Sequence, residues 1–115
     1  MKVIIAGGRD FNNYDLLCQK VDKILSRQSE IEIVSGTAKG VDKFGERYAT
    51  ERGYSIKRFP ANWGRYGKQG GMIRNEDMAE YSDALILFWN GKSKGSQYML
   101  KIGNEIGLKI RVIYY

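Results

Sequence analysis

Histidine is absent from the 115-residue sequence, and cysteine and proline each occur once, as Cys18 and Pro60. Without histidine, a zinc site would need carboxylate ligands, which is rare, and both metal-hydroxide chemistry and histidine general-base catalysis are excluded. One cysteine cannot form an internal disulfide, and we interpret Cys18 as a helix core residue rather than a nucleophile. We therefore expect no metal, no cofactor and a reducing, cytoplasmic setting.

Long apolar runs are also missing from the sequence. Nowhere do about 18 apolar residues follow one another, as a membrane-spanning helix requires. The apolar run at residues 3–6 is too short for a signal peptide. An apolar content of 43% and a charged content of 28% are typical of a packed globular protein. The length predicts one domain over residues 1–115, and no membrane partner is expected.

The positive charge is concentrated in the second half of the chain. Residues 1–55 carry nine basic and eight acidic side chains, whereas residues 56–115 carry ten and five. Such an excess attracts anions, either the phosphates of a small ligand or those of nucleic acid. Composition alone does not distinguish these partners from a charge that serves solubility.

Apolar runs alternate with stretches of helical periodicity along the whole chain. Alternating strands and helices predict right-handed crossovers, a mostly parallel sheet and helices on both faces, which is a three-layer α/β fold. The very apolar residues 84–89 are expected inside the sheet, and the alternating residues 54–59 at its edge. Strands are predicted at residues 3–6, 31–35, 54–59, 84–89 and 110–115, and helices after residues 13, 40 and 95 and over residues 71–81.

Helix ends and one loop carry further local predictions. Asn12 or Asn13 is expected to cap the first helix, and Gly53 to end the second in a left-handed conformation. Residues 61–69 have no period and are predicted to be a functional loop. The last helix is predicted to pack closely on the sheet through one face, which consists of Met99, Gly103, Ile106 and Gly107.

Glycine and small polar residues follow the first, second and fourth predicted strands, at the edge of a parallel sheet where ligands bind. Glycine lets backbone N–H groups approach an anion, and each loop opens a helix whose positive end points into the same crevice. Three such loops favour a phosphate or pyrophosphate site, although any single glycine could serve only the turn. The candidate ligand-binding residues of these loops are Gly7, Gly8, Arg9, Asp10 and Phe11, then Ser35, Gly36, Thr37, Lys39, Gly40 and Asp42, then Asn90, Gly91, Gly95, Ser96 and Gln97.

Charged side chains complete the candidate site. Arg74, beside Asn75, has a guanidinium suited to bidentate phosphate binding, or it pairs with neighbouring carboxylates as a surface residue. Asp10 and Asp42 either accept ribose hydroxyls or support a loop and a helix N-terminus. The charges expected to balance phosphate are those of Arg9, Lys39 and Arg74.

Backbone amides and aromatic rings are the remaining candidates. Phe11, Trp63 and Tyr66 offer faces on which a base could stack, and Phe11 alternatively packs on its own helix. No G-x-G-x-x-G motif follows the first strand, so an ordinary nicotinamide dinucleotide site is not predicted. The backbone amides expected to hold phosphate are those of Gly7, Gly8, Gly36, Thr37, Gly95 and Ser96.

Four segments resemble motifs of the SLOG superfamily, which includes DNA-processing protein A and the lonely-guy enzymes. They are residues 7–11 (GGRDF), 35–42 (SGTAKGVD), 72–78 (MIRNEDM) and 95–97 (GSQ). The opening motif and residues 60–63 (PANW) are most similar to the small YspA-like branch. The resemblance implies a Rossmann-like sheet of order 3-2-1-4-5, a nucleotide-derived ligand in the crevice and a homo-oligomer.

One departure from the superfamily bears on function. Its phosphoribohydrolases carry P-G-G-x-G-T-x-x-E, and aligning residues 95–96 with G-T places Met99 at the glutamate. The resemblance then implies non-catalytic binding, in sensing or sequestration, of a phosphorylated molecule such as an ADP-ribose-type or cyclic nucleotide signal. The alternatives are a phosphoribohydrolase that uses Arg74 with Asp10 or Glu76, and a protein that binds single-stranded DNA.

Overall fold

The computed structural model describes all residues from Met1 to Tyr115 and contains one fully parallel sheet. The strand order β3-β2-β1-β4-β5 confirms the predicted α/β architecture and topology. Ile4 in the centre of the sheet pairs with Val34 on one side and Leu85 on the other. The strands are β1 (Lys2–Gly7), β2 (Glu32–Ser35), β3 (Ser55–Arg58), β4 (Ala84–Trp89) and β5 (Lys109–Tyr114).

Four long helices connect the strands, and a shorter helical segment precedes one of them. None of the helices combines the length and the apolarity that a lipid bilayer would require. The helices are α1 (Tyr14–Leu25), α2 (Val41–Arg52), α3 (Trp63–Tyr66), α4 (Gly70–Tyr81) and α5 (Lys94–Ile106), with a 3₁₀ turn at Gly67–Gln69.

Residues 61–69 were predicted to be a functional loop, and the loop part of this prediction is wrong, because most of the segment forms α3 and the 3₁₀ turn. The functional part stays a prediction. Asn62 starts α3, since its side-chain oxygen accepts a hydrogen bond from the backbone N–H of Arg65 at 3.0 Å. Neither element buries a residue. A helical segment without a buried face has no hydrophobic period, so the periodicity of the sequence does not reveal it.

Two apolar layers cover the sheet, one on each face. Val3 and Ile5 of β1 contact the layer formed by α1 and α2, whereas Ile4 and Ala6 contact the layer formed by α4 and α5. Successive side chains of a strand point to opposite faces, so a strand buried on both faces reads as a continuous apolar run. The cores therefore hold the carboxyl ends of β1 and β4 in fixed positions.

The predicted helix ends at Asn13 and Gly53 are confirmed. Asn13 accepts a hydrogen bond from the Leu16 backbone N–H at 3.1 Å and caps α1. Gly53 has a φ of 73° and closes α2 with hydrogen bonds to Ala49 and Thr50. The exposed strand β3 lies at the sheet edge, as predicted, and β4 lies inside between β1 and β5.

The predicted buried face of α5 is correct at Met99 and Gly103 and wrong at Ile106 and Gly107. A Cβ atom at Gly103 would lie 3.3 Å from Ile110, so this glycine does allow close packing. Ile106 is 48% exposed, and Gly107 ends the helix with a φ of 92°. The left-handed end at Gly107 explains that glycine without any contact to the sheet.

Candidate functional site

A cleft of about 750 Å³ opens at the carboxyl ends of β1 and β4. The strand order reverses between these two strands, which is where open α/β sheets bind ligands. The predicted site residues that line the cleft are Gly7, Gly8, Arg9, Asp10, Asp42, Trp63, Arg74, Asn75, Asn90, Gly95 and Ser96. The predicted site residues outside its lining are Phe11, Ser35, Gly36, Thr37, Lys39, Gly40, Gly91 and Gln97.

Phe11 lies in the core rather than at the cleft. Only 4% of it is exposed, and its ring lies 5.2 Å from Phe88 and 4.9 Å from Tyr115, measured between centroids. Its face is therefore not open to a base. Lys39 and Gln97 are exposed beyond the cleft, and Gly91 forms a turn with a φ of 81°.

In the loop between β2 and α2, two backbone amides already donate hydrogen bonds to nearby side chains. The backbone N–H of Thr37 donates to Ser35 Oγ at 3.0 Å, and the N–H of Ala38 donates to Asp42 Oδ2 at 3.2 Å. The predicted phosphate cradle at Thr37 is thus already paired within the chain. Periodicity could not show this, because it depends on side chains that fold back onto the loop.

Ser35 is held by a polar chain that reaches the edge of the sheet. Its hydroxyl donates to Glu46 Oε2 at 2.6 Å, and Glu46 Oε1 accepts from Arg58 Nε at 3.0 Å. Glu46 and Ser35 are both buried, so these contacts satisfy polar groups that would otherwise be costly. Ser35 and Glu46 therefore hold the loop between β2 and α2 in position through buried hydrogen bonds.

The loop after β1 is fixed by backbone and by a distant tyrosine. Gly8 donates its N–H to Phe88 O at 3.2 Å, so this amide is also occupied. The Tyr115 hydroxyl donates to Asp10 Oδ1 at 2.6 Å, and a Cβ at Gly8 would lie 1.8 Å from that hydroxyl. Burial and the hydrogen bond to Asp10 raise the pKa of Tyr115 to about 12, so the hydroxyl stays a donor.

The loop between β4 and α5 places the start of α5 at the cleft. Asn90 Oδ1 accepts hydrogen bonds from the N–H groups of Lys92 and Ser93 at 2.8 and 2.9 Å, and Trp89 Nε1 donates to Ser93 O at 3.0 Å. The first amides of a helix have no partner inside it and carry partial positive charge. The N–H of Ser96, predicted to hold phosphate, is however already paired, because it donates to Ser93 Oγ at 3.5 Å. Gly95 in this first turn lines the cleft.

Arg74 on α4 is half-buried and faces the second loop. One guanidinium nitrogen donates to Gly36 O, and Nε donates to Asn75 Oδ1 at 2.9 Å. Its Nη2 has no partner within the chain and is free to donate. Burial lowers the pKa of Arg74, and the charge of nearby Arg9 lowers it further. The ordinary pKa of arginine is so high that the group stays charged.

Asp42 and Arg74 lie close together because the residue between them has no side chain. A Cβ at Gly36 would lie 2.7 Å from Asp42 Oδ2 and 2.9 Å from Arg74 Nη1. Burial raises the pKa of Asp42 to about 6, against the lowering effects of the Ala38 amide and of Arg74. The cleft therefore holds a carboxyl group that titrates near neutral pH beside a permanent cation.

The raised pKa of Asp42 gives a pH-dependent cost to folding. Between its ordinary pKa of 3.8 and about 6, the folded protein binds more protons than the unfolded chain, so stability falls as the pH rises. From about pH 4 to about pH 7, the unfolding free energy of the wild type is expected to fall by about 2 kcal/mol relative to Asp42→Asn. Urea denaturation of both proteins at several pH values measures this difference, and a constant difference would contradict the assignment.

Sequence reasoning missed several cleft residues that lie on the α4 and α5 faces. Helical spacing could have found two of them, because residues four apart share a face. Met78 lies four residues after Arg74, and Met99 lies four residues after Gly95. The missed lining residues are Ala6, Ala38, Lys68, Gly71, Met72, Met78, Leu87, Ser93, Lys94, Tyr98 and Met99.

Comparisons with known proteins agree with this fold. The model of the family described as "YspA, cpYpsA-related SLOG family" matches residues 1–66. "Gene 61 protein" of Mycobacterium phage D29 is 24% identical over 116 residues, which cover 95% of this chain and 93% of that protein.

A solved structure shares the architecture. The X-ray structure of DNA processing protein A (DprA) from Streptococcus pneumoniae matches with a TM-score of 0.77 at 20% identity. The match covers 96% of this chain and 49% of that one, so this chain spans about half the length of that protein. At this identity the likeness concerns the fold.

Proposed function

The chain belongs to the YspA, cpYpsA-related SLOG family, and we propose that it binds a phosphorylated, nucleotide-derived small molecule in the cleft without converting it. One observation carries the proposal. Arg74 is half-buried in the cleft, is held in place through Gly36 and Asn75, and keeps Nη2 unpaired. A guanidinium held in this way suits binding of a phosphate oxygen, because its side chain is already ordered and loses little conformational entropy when the ligand binds.

The charges around the cleft support an anionic ligand. Arg9, Lys68 and Lys94 line it together with Arg74, and the start of α5 adds partial positive charge. The two carboxylates in the lining are both engaged, Asp10 with Tyr115 and Asp42 with the Ala38 amide. Asp10 Oδ2 has no partner in the chain and would accept a ribose hydroxyl.

The floor of the cleft supports binding rather than hydrolysis. Met99, at the position where phosphoribohydrolases of the superfamily carry their glutamate, is buried and lines the cleft. A thioether neither transfers a proton nor carries the charge that stabilises an oxocarbenium ion. We therefore place sensing or sequestration of the ligand ahead of catalysis.

Calorimetry with a panel of ligands tests the proposal. ADP-ribose, cyclic ADP-ribose isomers and cyclic dinucleotides are titrated into the protein, with ribose and adenine as uncharged controls. We expect at least one phosphorylated member to bind and neither control to bind. Absence of heat with every phosphorylated member would refute the proposal.

A second candidate is a nucleotide phosphoribohydrolase. The observation that favours it is the Asp42 carboxyl, whose pKa is raised by burial to about 6, lining the same cleft as Arg74. A carboxyl with such a pKa suits proton transfer near neutral pH. Release of free base from nucleoside monophosphates by the wild type, and its loss in Asp42→Asn, would establish this activity in place of binding alone.

Single-stranded DNA is a third candidate, favoured by the basic residues of the cleft and by the fold shared with DNA processing protein A. Single-stranded DNA binding would be identified by an affinity for an oligonucleotide that falls steeply with added salt, because phosphate contacts release counterions. We place DNA binding last of the three candidates.

We further propose that residues 1–115 act as one ligand-binding domain and that this domain self-associates.

A further inference from the structure

Trp63 presents an open aromatic face to the cleft. The residue is 51% exposed and lies in the lining of the cleft. Its ring rests against the start of α4, since a Cβ at Gly70 would lie 3.0 Å from Cε3 and a Cβ at Gly71 would lie 3.2 Å from Cη2. The ring is therefore supported by glycine backbone on one side and accessible elsewhere.

The segment before α4 holds this ring in place. Asn62 caps α3 through Arg65, which sets the direction of the helix that carries Trp63. Gly67 then adopts a φ of 57° and donates its N–H to Trp63 O. The chain turns back at this point, so that Gly70 and Gly71 come to lie under the indole.

Gly71 lies close to both the Trp63 ring and the Arg74 guanidinium. A Cβ at Gly71 would lie 3.2 Å from Trp63 Cη2 and 3.6 Å from Arg74 Nη2. The aromatic ring and the unpaired guanidinium nitrogen thus flank one point in the cleft. A nucleotide with its phosphate on Arg74 would therefore also lie beside Trp63.

Other aromatic residues near the cleft are less available. Phe11 is buried, and Tyr66 lies outside the lining. Trp89 is tied to Ser93 through Nε1 and lies outside the lining as well. Tyr98 lines the cleft, but its hydroxyl is bonded to Glu76. Trp63 is the one large aromatic ring in the lining that no hydrogen bond anchors.

We propose that Trp63 is the stacking platform for a nucleobase whose phosphate is bound by Arg74, an inference that rests on the proposed function. The ligand class narrows accordingly to nucleotides that carry a base, rather than sugar phosphates or pyrophosphate. A single platform serves one base, which fits a free nucleotide better than a strand with successive bases. Stacking requires a π-face and little else, so any base can use the platform.

The test compares AMP with ribose 5-phosphate, which lacks the base. Both are titrated by calorimetry into wild type, Trp63→Phe and Trp63→Leu, each checked for an unchanged melting temperature. Stacking on one aromatic ring corresponds to about tenfold to a hundredfold in affinity. We expect wild type to prefer AMP by that factor, Trp63→Phe to keep part of the preference, and Trp63→Leu to bind the two ligands equally.

A glycine pair provides a second, independent variant. Gly71→Ala places a methyl group against the indole and is expected to reduce the AMP preference with Trp63 still present. Gly64→Ala is the matched control, because the nearest atom to its Cβ would be 3.8 Å away. An unchanged preference in Gly71→Ala would argue against the platform.

The outcomes separate the two proposals. Equal binding of AMP and ribose 5-phosphate by wild type, or a preference that survives Trp63→Leu, would overturn the stacking platform and leave the phosphate site standing. If neither compound nor any member of the ligand panel binds, the phosphate site and the platform fail together. An oligonucleotide that binds more tightly than AMP, with steep salt dependence, would overturn the assignment to free nucleotides.

Discussion

Replacing Arg74 by alanine is expected to weaken ADP-ribose binding by about tenfold to a hundredfold, because a hydrogen bond to a charged group contributes about 1.5 to 3 kcal/mol. The guanidinium is held by Gly36 and Asn75 and would meet phosphate with its free Nη2. Its removal also deprives the buried Asp42 of a neighbouring cation. The pKa of Asp42 is therefore expected to rise further in the variant.

Arg74→Lys is the matched control for this variant. Lysine keeps the charge but lacks the planar fork, so we expect an affinity between those of the wild type and Arg74→Ala. Calorimetry with ADP-ribose measures all three proteins, and circular dichroism verifies that each is folded. An Arg74→Ala protein that is folded and binds as tightly as the wild type would contradict the role of this side chain.

Gly40→Ala is expected to lower the unfolding free energy by about 3 to 5 kcal/mol, because a side chain would be strained at a positive φ that suits only glycine and would also be overpacked. Gly40 has a φ of 80°, and a Cβ there would lie 2.3 Å from Gly8 O and 2.7 Å from Arg9 Cα. Both contacts are to backbone that cannot move without displacing the loop after β1. The same substitution should therefore weaken ligand binding as well.

Gly53→Ala is the control for a glycine that has a positive φ but is not crowded. Gly53 has a φ of 73° and a ψ of 23°, in the ordinary left-handed region, whereas Gly40 has a ψ of −129°. Nothing lies within 4 Å of the Gly53 Cβ position. We expect this control to lose only about 1 to 2 kcal/mol, which is the cost of the left-handed backbone alone. Urea denaturation measures both variants. Equal losses at the two glycines would contradict both the crowding and the greater backbone strain assigned to Gly40.

The sheet could be predicted because its signals are local and redundant. Residues 84–89 form one apolar run, and the structure places β4 at the same residues, Ala84–Trp89. A strand buried on both faces needs such a run, and glycines at the strand ends mark the turns that follow. The strand order came from the motif resemblance rather than from periodicity, which does not show which strands are neighbours.

The details of the site depend on contacts that no local pattern contains. Tyr115 binds Asp10 from 105 residues away. Ser35 occupies the amide of Thr37, which was a candidate for binding phosphate. The placement of Trp63 on Gly71 follows from a helical turn with no buried face, which leaves no hydrophobic period to detect.

Amide chemical-shift mapping by NMR, during titration with ADP-ribose, locates the ligand-binding site on the protein. We expect shifts at the loop after β1, at Arg74 and Asn75, and at the start of α5, with the Arg74 side-chain Nε–H among the groups affected. No comparable shifts are expected on α1 or on the outer face of α2. Saturable shifts centred on those helices, or no shifts at all, would contradict a nucleotide site in the cleft.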